Sequence, residues 1–175
     1  ISSIPIQADC SNSGLQHYSA MLRDEIGGKA TNLIPDSKPQ DVYGMIAEKV
    51  KAKLLKKKSE KIASLWLAWG IDRKICKKST MCLPYGLTKY SCRQYLEDEV
   101  LKQQKEKGKT NPFNDNLFKA TQYLTPIVWD SIGEIVVGAR KVMKYVQTIS
   151  RLVASENLPV TWITPLNAPV QMLNY

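Results

Sequence analysis

Nowhere does the chain approach the roughly 18 consecutive apolar residues of a membrane-spanning helix, so no membrane partner is expected. The opening residues, Ile1-Ser2-Ser3-Ile4-Pro5, have no basic stretch running into an apolar one, and no secretory leader is read there. There is no initiating Met either, which points to processing or to a piece of something longer. Histidine occurs once, at His17, and cysteine four times, at Cys10, Cys76, Cys82 and Cys92. The only close cysteines are Cys76 and Cys82, six residues apart and far from His17, so neither a zinc spacing nor a disulfide framework is present. Reduced thiols in a cytosol-like compartment are the expectation.

What is present is an ordinary globular composition, 43% hydrophobic and 23% charged over 175 residues, enough for one domain of usual size. The charge is unbalanced: 25 Lys and Arg against 16 Asp and Glu leave a net +9, which favours polyanionic partners. Seven lysines fall between Lys49 and Lys61, and Lys102, Lys105, Lys107 and Lys109 form a second cluster. Both are read as solvated helix faces rather than phosphate sites. Arg73, Lys74, Lys77 and Lys78 form a third group in a different setting.

Ile4 to Ala8 alternates apolar and polar and predicts a strand ending at Asp9. Ser13 then caps a helix over Gly14 to Ile26, which Gly27-Gly28 is expected to stop. Ser37-Lys38-Pro39-Gln40 has a capping-box pattern leading into a helix through Val42, Ile46, Val50 and Leu54. Ile62 to Trp69 predicts a short apolar helix closed by Gly70, and Asp72 caps the next, which runs to the break at Pro84-Tyr85-Gly86. Thr88 opens a helix to about Lys105. Phe113 to Asn157 predicts one interrupted helix or two consecutive ones, with Pro126 in a first turn. Val160 to Thr164 and Val170 to Tyr175 alternate as strands of a hairpin. No internal repeat occurs. The fold class is α+β, mostly helical with a small antiparallel sheet.

Two places carry chemistry. Asp9 lies at the end of a predicted strand, at a rim rather than in a core. Arg73, Lys77, Met81 and Tyr85 recur every four residues and project from one side of a continuous helix. Two cations, a thioether and a phenol in that order suit a triphosphate at one end and a sugar and base at the other. A plain amphipathic helix with a basic solvent face accounts for the second segment taken alone.

Together the two segments carry a resemblance. Asp9-Cys10-Ser11-Asn12-Ser13-Gly14-Leu15-Gln16-His17-Tyr18-Ser19-Ala20-Met21-Leu22-Arg23-Asp24 resembles motif A of the single-subunit, bacteriophage T7-like DNA-directed RNA polymerases. Asp72-Arg73-Lys74-Ile75-Cys76-Lys77-Lys78-Ser79-Thr80-Met81-Cys82-Leu83-Pro84-Tyr85-Gly86 resembles motif B of that family. Asn32-Leu33-Ile34-Pro35, Gln40-Asp41-Val42-Tyr43 and Trp162-Ile163-Thr164-Pro165 are similar as well, so the likeness runs along essentially the whole chain.

The resemblance implies template-directed RNA synthesis by a two-metal mechanism, with Mg²⁺ as cofactor and DNA template, RNA transcript and ribonucleoside triphosphates as partners. It implies that Asp9 and the carbonyl of Cys10 hold metal. It gives Arg73 and Lys77 the triphosphate, with Lys77 as proton donor to pyrophosphate, and gives Tyr85 the ribose 2′-hydroxyl beside Met81. Gly86 supplies the backbone freedom to end the helix. Related DNA polymerases carry a Glu five residues after the motif A Asp; here Gly14 leaves room for a ribose. Pro84 departs from an unbroken helix and is expected to end or kink it just before Tyr85.

The family's second metal-binding Asp lies in a His-Asp-Ser motif C, and the sequence reaches Tyr175 without one. The chain is therefore expected to be a palm and fingers fragment, inactive unless the remainder of the polymerase is supplied. The expected division is palm over 1–35, fingers helices over 36–157 and a palm hairpin over 158–175. A phage protein in the host cytoplasm is the first expectation for location, a mitochondrion or plastid the second. The competing reading is a non-catalytic basic helical module that binds nucleic acid through phosphates.

Overall fold

The computed structural model describes residues 12–108, 110–113 and 116–173. The expected strand Ile4–Ala8, with Asp9 and Cys10, lies outside the described residues. Eight α-helices occur among those described: α1 (Ser13–Leu22), α2 (Glu25–Ala30), α3 (Val42–Lys56), α4 (Lys61–Trp69), α5 (Arg73–Cys82), α6 (Lys89–Lys107), α7 (Leu117–Ile135) and α8 (Val137–Ser155). A 3₁₀ turn, Leu83–Tyr85, follows α5. Strands β1 (Val160–Ile163) and β2 (Pro169–Met172) pair antiparallel. The class is α+β and mostly helical. Contacts divide the chain into two compact units, residues 1–140 and 141–175.

In the first unit α3 packs against α4, α5 and α7, while α6 packs against α5 and α7. The sequence spacing explains this arrangement: Tyr43, Ile46, Ala47, Val50 and Leu54 recur every three or four residues and are all buried. They meet Ile75 and Cys76 of α5, Leu96 and Val100 of α6, and Leu124, Val128 and Ile132 of α7 in one core. Trp66 of α4 is fully buried, its Nε1–H donates to the Ala120 carbonyl at 2.9 Å, and its ring lies 4.4 Å from that of Phe113. Side chains of this size each contribute about 1.5–3 kcal/mol on full burial.

Three helix boundaries differ from expectation. The first helix ends early, at Arg23 in the left-handed region (φ 52°), where Asp24 begins a new helix by accepting from the Gly27 N–H. Gly27 and Gly28 do not stop a helix; they are buried inside α2, where neighbouring side chains come close. A Cβ at Gly27 would lie 2.6 Å from Ser19 Oγ, and one at Gly28 would lie 2.9 Å from Ile34 Cδ1.

The cap of α3 is Asp41, which accepts from the Tyr43 N–H at 3.2 Å, and not the earlier Ser37 pattern. Pro126 sits in the interior of α7 and not in a first turn. It is exposed, as is Gln122, whose carbonyl is the one the missing N–H would have engaged. The interruption between α7 and α8 falls instead at Val136.

Asp72 caps α5 by accepting from the Ile75 N–H at 3.1 Å, Thr88 caps α6 by accepting from Ser91, and Gly70 (φ 90°) closes α4, all as the sequence predicts. In the second unit the hairpin pairs Val160 with Met172 and Ile163 with Pro169. Its turn is closed by Thr164, whose N–H donates to the Ala168 carbonyl and whose carbonyl accepts from the Asn167 N–H.

Candidate nucleotide site

The site is built on α5. Its buried side is Ile75, Cys76, Ser79 and Thr80, pressed on the core, which leaves Arg73, Lys74, Lys77, Lys78 and Met81 facing outward. Asp72, its cap, is held in turn by Gln103 Nε2 at 3.3 Å and by Lys107 at 3.6 Å, so α6 anchors the start of the helix. Thr80 Oγ1 donates to the Cys76 carbonyl, and Cys92 donates to Ser79 Oγ at 3.4 Å. Burial pushes the Cys76 thiol up to about 12 and raises Cys92, so both stay protonated packing groups.

The expected break at Pro84 is present. The α-helix stops at Cys82 and tightens into the 3₁₀ turn, which Gly86 ends with φ 85°. Pro84 does not carry Tyr85 away from the first helix. The Tyr18 hydroxyl donates to the Pro84 carbonyl at 3.3 Å, which ties α1 to the turn. A Cβ at Gly14 would stand 3.1 Å from Pro84 Cβ and 3.2 Å from the Tyr85 hydroxyl. A cavity of about 210 Å³ opens there, lined by Asn12, Ser13, Gly14, Leu15, Met81, Pro84 and Tyr85. Tyr85 is 75% exposed and Met81 47%, so both are free to meet a ligand. Gly14, Met81 and Tyr85, singled out from two separate motifs, line one space.

The cations of α5 are not equivalent. Lys78 pairs with Asp98 at 3.6 Å and lies 4.2 Å above the Tyr95 ring. Arg73 Nε donates to both Asp41 oxygens, at 3.0 and 2.9 Å, while its guanidinium stacks 4.8 Å from the Tyr43 ring. Tyr43 in turn donates its hydroxyl to Asn12 Oδ1. Burial raises the phenol above its usual range, and Arg73 works against that shift. Lys74 and Lys77 form no ion pair with a described residue. Asp41 and Tyr43 are neighbours of Arg73 that the motif spacing did not assign; the sequence signal for them was the Gln40-Asp41-Val42-Tyr43 block.

The lysine run is largely engaged with protein carboxylates. Lys49 and Lys53 both bind Glu134, at 2.9 and 2.7 Å, and Lys51 and Lys57 stand 3.9 and 4.0 Å from Glu48 and Glu60. Among the described residues no group of three or more His, Cys, Asp or Glu comes together as a metal site. No helix among them is long and apolar enough to cross a membrane.

A family model described as DNA-dependent RNA polymerase matches residues 1–173. The chain is 32% identical to the DNA-directed RNA polymerase of Enterobacteria phage T3, over 96% of this chain and 23% of that protein. It is 31% identical to T7 RNA polymerase of Escherichia phage T7 with the same coverage. To DNA-directed RNA polymerase 2B, chloroplastic/mitochondrial, of Nicotiana tabacum it is 35% identical, over 97% of this chain and 17% of that protein. The chain thus spans less than a quarter of the length of these curated relatives.

Proposed function

Because this chain belongs to the DNA-dependent RNA polymerase family, we propose that it forms the nucleotide-addition part of a polymerase that copies DNA into RNA. The observation that carries this reading is the convergence of Gly14, Met81 and Tyr85 on one cavity, at the end of the helix that bears Arg73 and Lys77. The cavity takes the ribose and base, and the two cations take the triphosphate. A guanidinium grips phosphate oxygens with several fixed donors, while a lysine acts as a mobile point charge with a titratable proton.

In the reaction the RNA 3′-hydroxyl oxygen bonds to the α-phosphorus, the α–β bridging bond breaks, and pyrophosphate leaves. The hydroxyl gives up one proton to solvent water, and Lys77 gives one to the departing pyrophosphate. The Asp9 carboxylate and the Cys10 carbonyl are hard oxygen donors of the kind Mg²⁺ selects, and they would hold it. When bound, Mg²⁺ lowers the hydroxyl's pKa and neutralises charge on the phosphates. A two-metal site of this kind uses a second carboxylate besides Asp9. Gly14 admits a ribose, and Tyr85 reads its 2′-hydroxyl.

Residues 1–35 then belong to the palm, 36–157 to the fingers and 158–175 to a palm hairpin, in a phage or organellar enzyme. A module that merely binds nucleic acid by its charge needs neither a glycine at position 14 nor the Tyr85 phenol packed against it. The deciding experiment is Asp9→Asn in the complete polymerase, which removes a charge and nearly keeps the shape. RNA extension should fall by an amount of the order of several kcal/mol of transition-state stabilisation, with folding intact. Near-normal turnover would remove Asp9 from the metal site.

A further inference from the structure

Arg73 reaches a nucleotide only if its long side chain is in the right place, and the structure shows what holds it. Asp41 caps α3 with one oxygen, accepting from the Tyr43 N–H, and turns the same carboxylate onto Arg73 Nε. Both side chains are about half exposed, so the pair contributes little stability as an ion pair. Its effect is geometric. The carboxylate grips the Nε edge, the Tyr43 ring lies under the guanidinium plane, and the terminal nitrogens make no hydrogen bond to a described residue. Those nitrogens are the fork that matches phosphate oxygens.

Two neighbours fit the same arrangement. Gly44 stands in the first turn of α3, where glycine costs about 1 kcal/mol relative to alanine. A Cβ there would lie 2.9 Å from Asp41 Oδ2, one of the oxygens that meets Arg73. Tyr43 joins the stack to Asn12, which lines the cavity between Gly14 and Tyr85. Asp41, Tyr43 and Arg73 therefore connect the triphosphate end of α5 to the sugar end of the site through a second element, α3.

The geometry points to Asp41 as a positioning residue that, with Tyr43, orders Arg73 for the incoming triphosphate before it binds. This rests on the reading of Arg73 as a triphosphate ligand. Without the carboxylate, the nucleotide itself must order a flexible arginine, and that cost falls on substrate affinity rather than on the chemical step.

The test is a double-mutant cycle in the complete polymerase: Asp41→Asn, Arg73→Gln and both together, with kcat and KM measured for each nucleotide. Asn keeps the α3 cap, so folding is preserved. Asp41→Asn should raise the nucleotide KM by about three- to tenfold, the equivalent of one long side chain left for the ligand to order, with kcat nearly unchanged. In the Arg73→Gln background it should add nothing. Gly44→Ala, which favours the helix while crowding Asp41, should also raise KM without lowering the thermal midpoint. A KM that falls in Asp41→Asn would show the carboxylate competing with phosphate and would overturn the proposal. So would an equal effect of Asp41→Asn in both backgrounds. If Arg73→Gln alone leaves KM unchanged, the assignment of Arg73 to the triphosphate fails, and the proposal fails with it.

Discussion

At the scale of single residues the site turns on a hydrogen and a hydroxyl. Gly14 has only hydrogen where any side chain would press on Pro84 and Tyr85 within 3.2 Å. A glycine carries no group that tells ribose from deoxyribose, so a preference for ribose needs a group that gains a bond when the 2′-hydroxyl is present. Tyr85 has its hydroxyl against Gly14, and Tyr85→Phe removes the oxygen while keeping the ring. A lost neutral hydrogen bond costs about 0.5–1.5 kcal/mol and an unpaired buried partner about 1–3, so discrimination against deoxynucleotides should shrink about ten- to hundredfold. The ratio of kcat/KM for ribo- and deoxynucleotides in each variant checks this, and an unchanged ratio would assign sugar choice to another group. The four-residue spacing of Arg73, Lys77 and Met81 is legible in the sequence, because a helix converts such spacing directly into a shared face; Tyr85 lies past the end of that helix, in the 3₁₀ turn. Asp41 was not legible as a partner of Arg73. It lies 32 residues away, and an N-cap aspartate carries no sequence mark of a second contact.

At the scale of elements, helices were legible where a cap or a period spoke alone and were missed where tertiary packing overrode it. Asp72, Thr88 and Gly70 each bound a helix as their residue type predicts. Gly27 and Gly28 look like a stop, yet their lack of a side chain serves close packing inside α2. Asp24 explains why. Its carboxylate accepts from the N–H of Gly27 and also from that of Gly138, at 2.8 Å, so it ties the start of α2 to the start of α8. A methyl at position 27 would fall 2.7 Å from Asp24 Oδ2 and push that carboxylate off both donors. Gly27→Ala should therefore destabilise the first unit by about 1–3 kcal/mol, although alanine is the better helix former by about 1 kcal/mol. Denaturant unfolding measures it, and a stabilised variant would show that the Gly–Gly pair is not a packing requirement.

At the scale of the whole molecule the excess of +9 is distributed so that helices are bound together as well as charged. Lys49 and Lys53 stand one turn apart on α3, where like charges repel, and Glu134 of α7 lies between them. Hydrogen bonds from Lys53 and then Lys49 draw the Glu134 carboxyl down from its usual 4.5 to about 2. A carboxyl more acidic in the folded chain than in the unfolded one stabilises the fold fully above the unfolded value. That contribution is lost as the pH falls towards the folded value. The window for this ion pair is therefore about pH 4.5 down to about 2. Its size is modest, since the Glu134 side chain is 45% exposed and solvent screens such pairs. Below the window the two lysines have no negative charge between them, and the net positive charge of the molecule rises at the same time. Glu134→Gln should lower the thermal midpoint slightly at pH 7 and flatten its fall between pH 4.5 and 2, relative to the parent chain. Thermal melts across that range at low salt give the comparison. Parallel curves for the two proteins would mean that other carboxylates carry the acid response, and that α3 and α7 are held together by their buried apolar side chains.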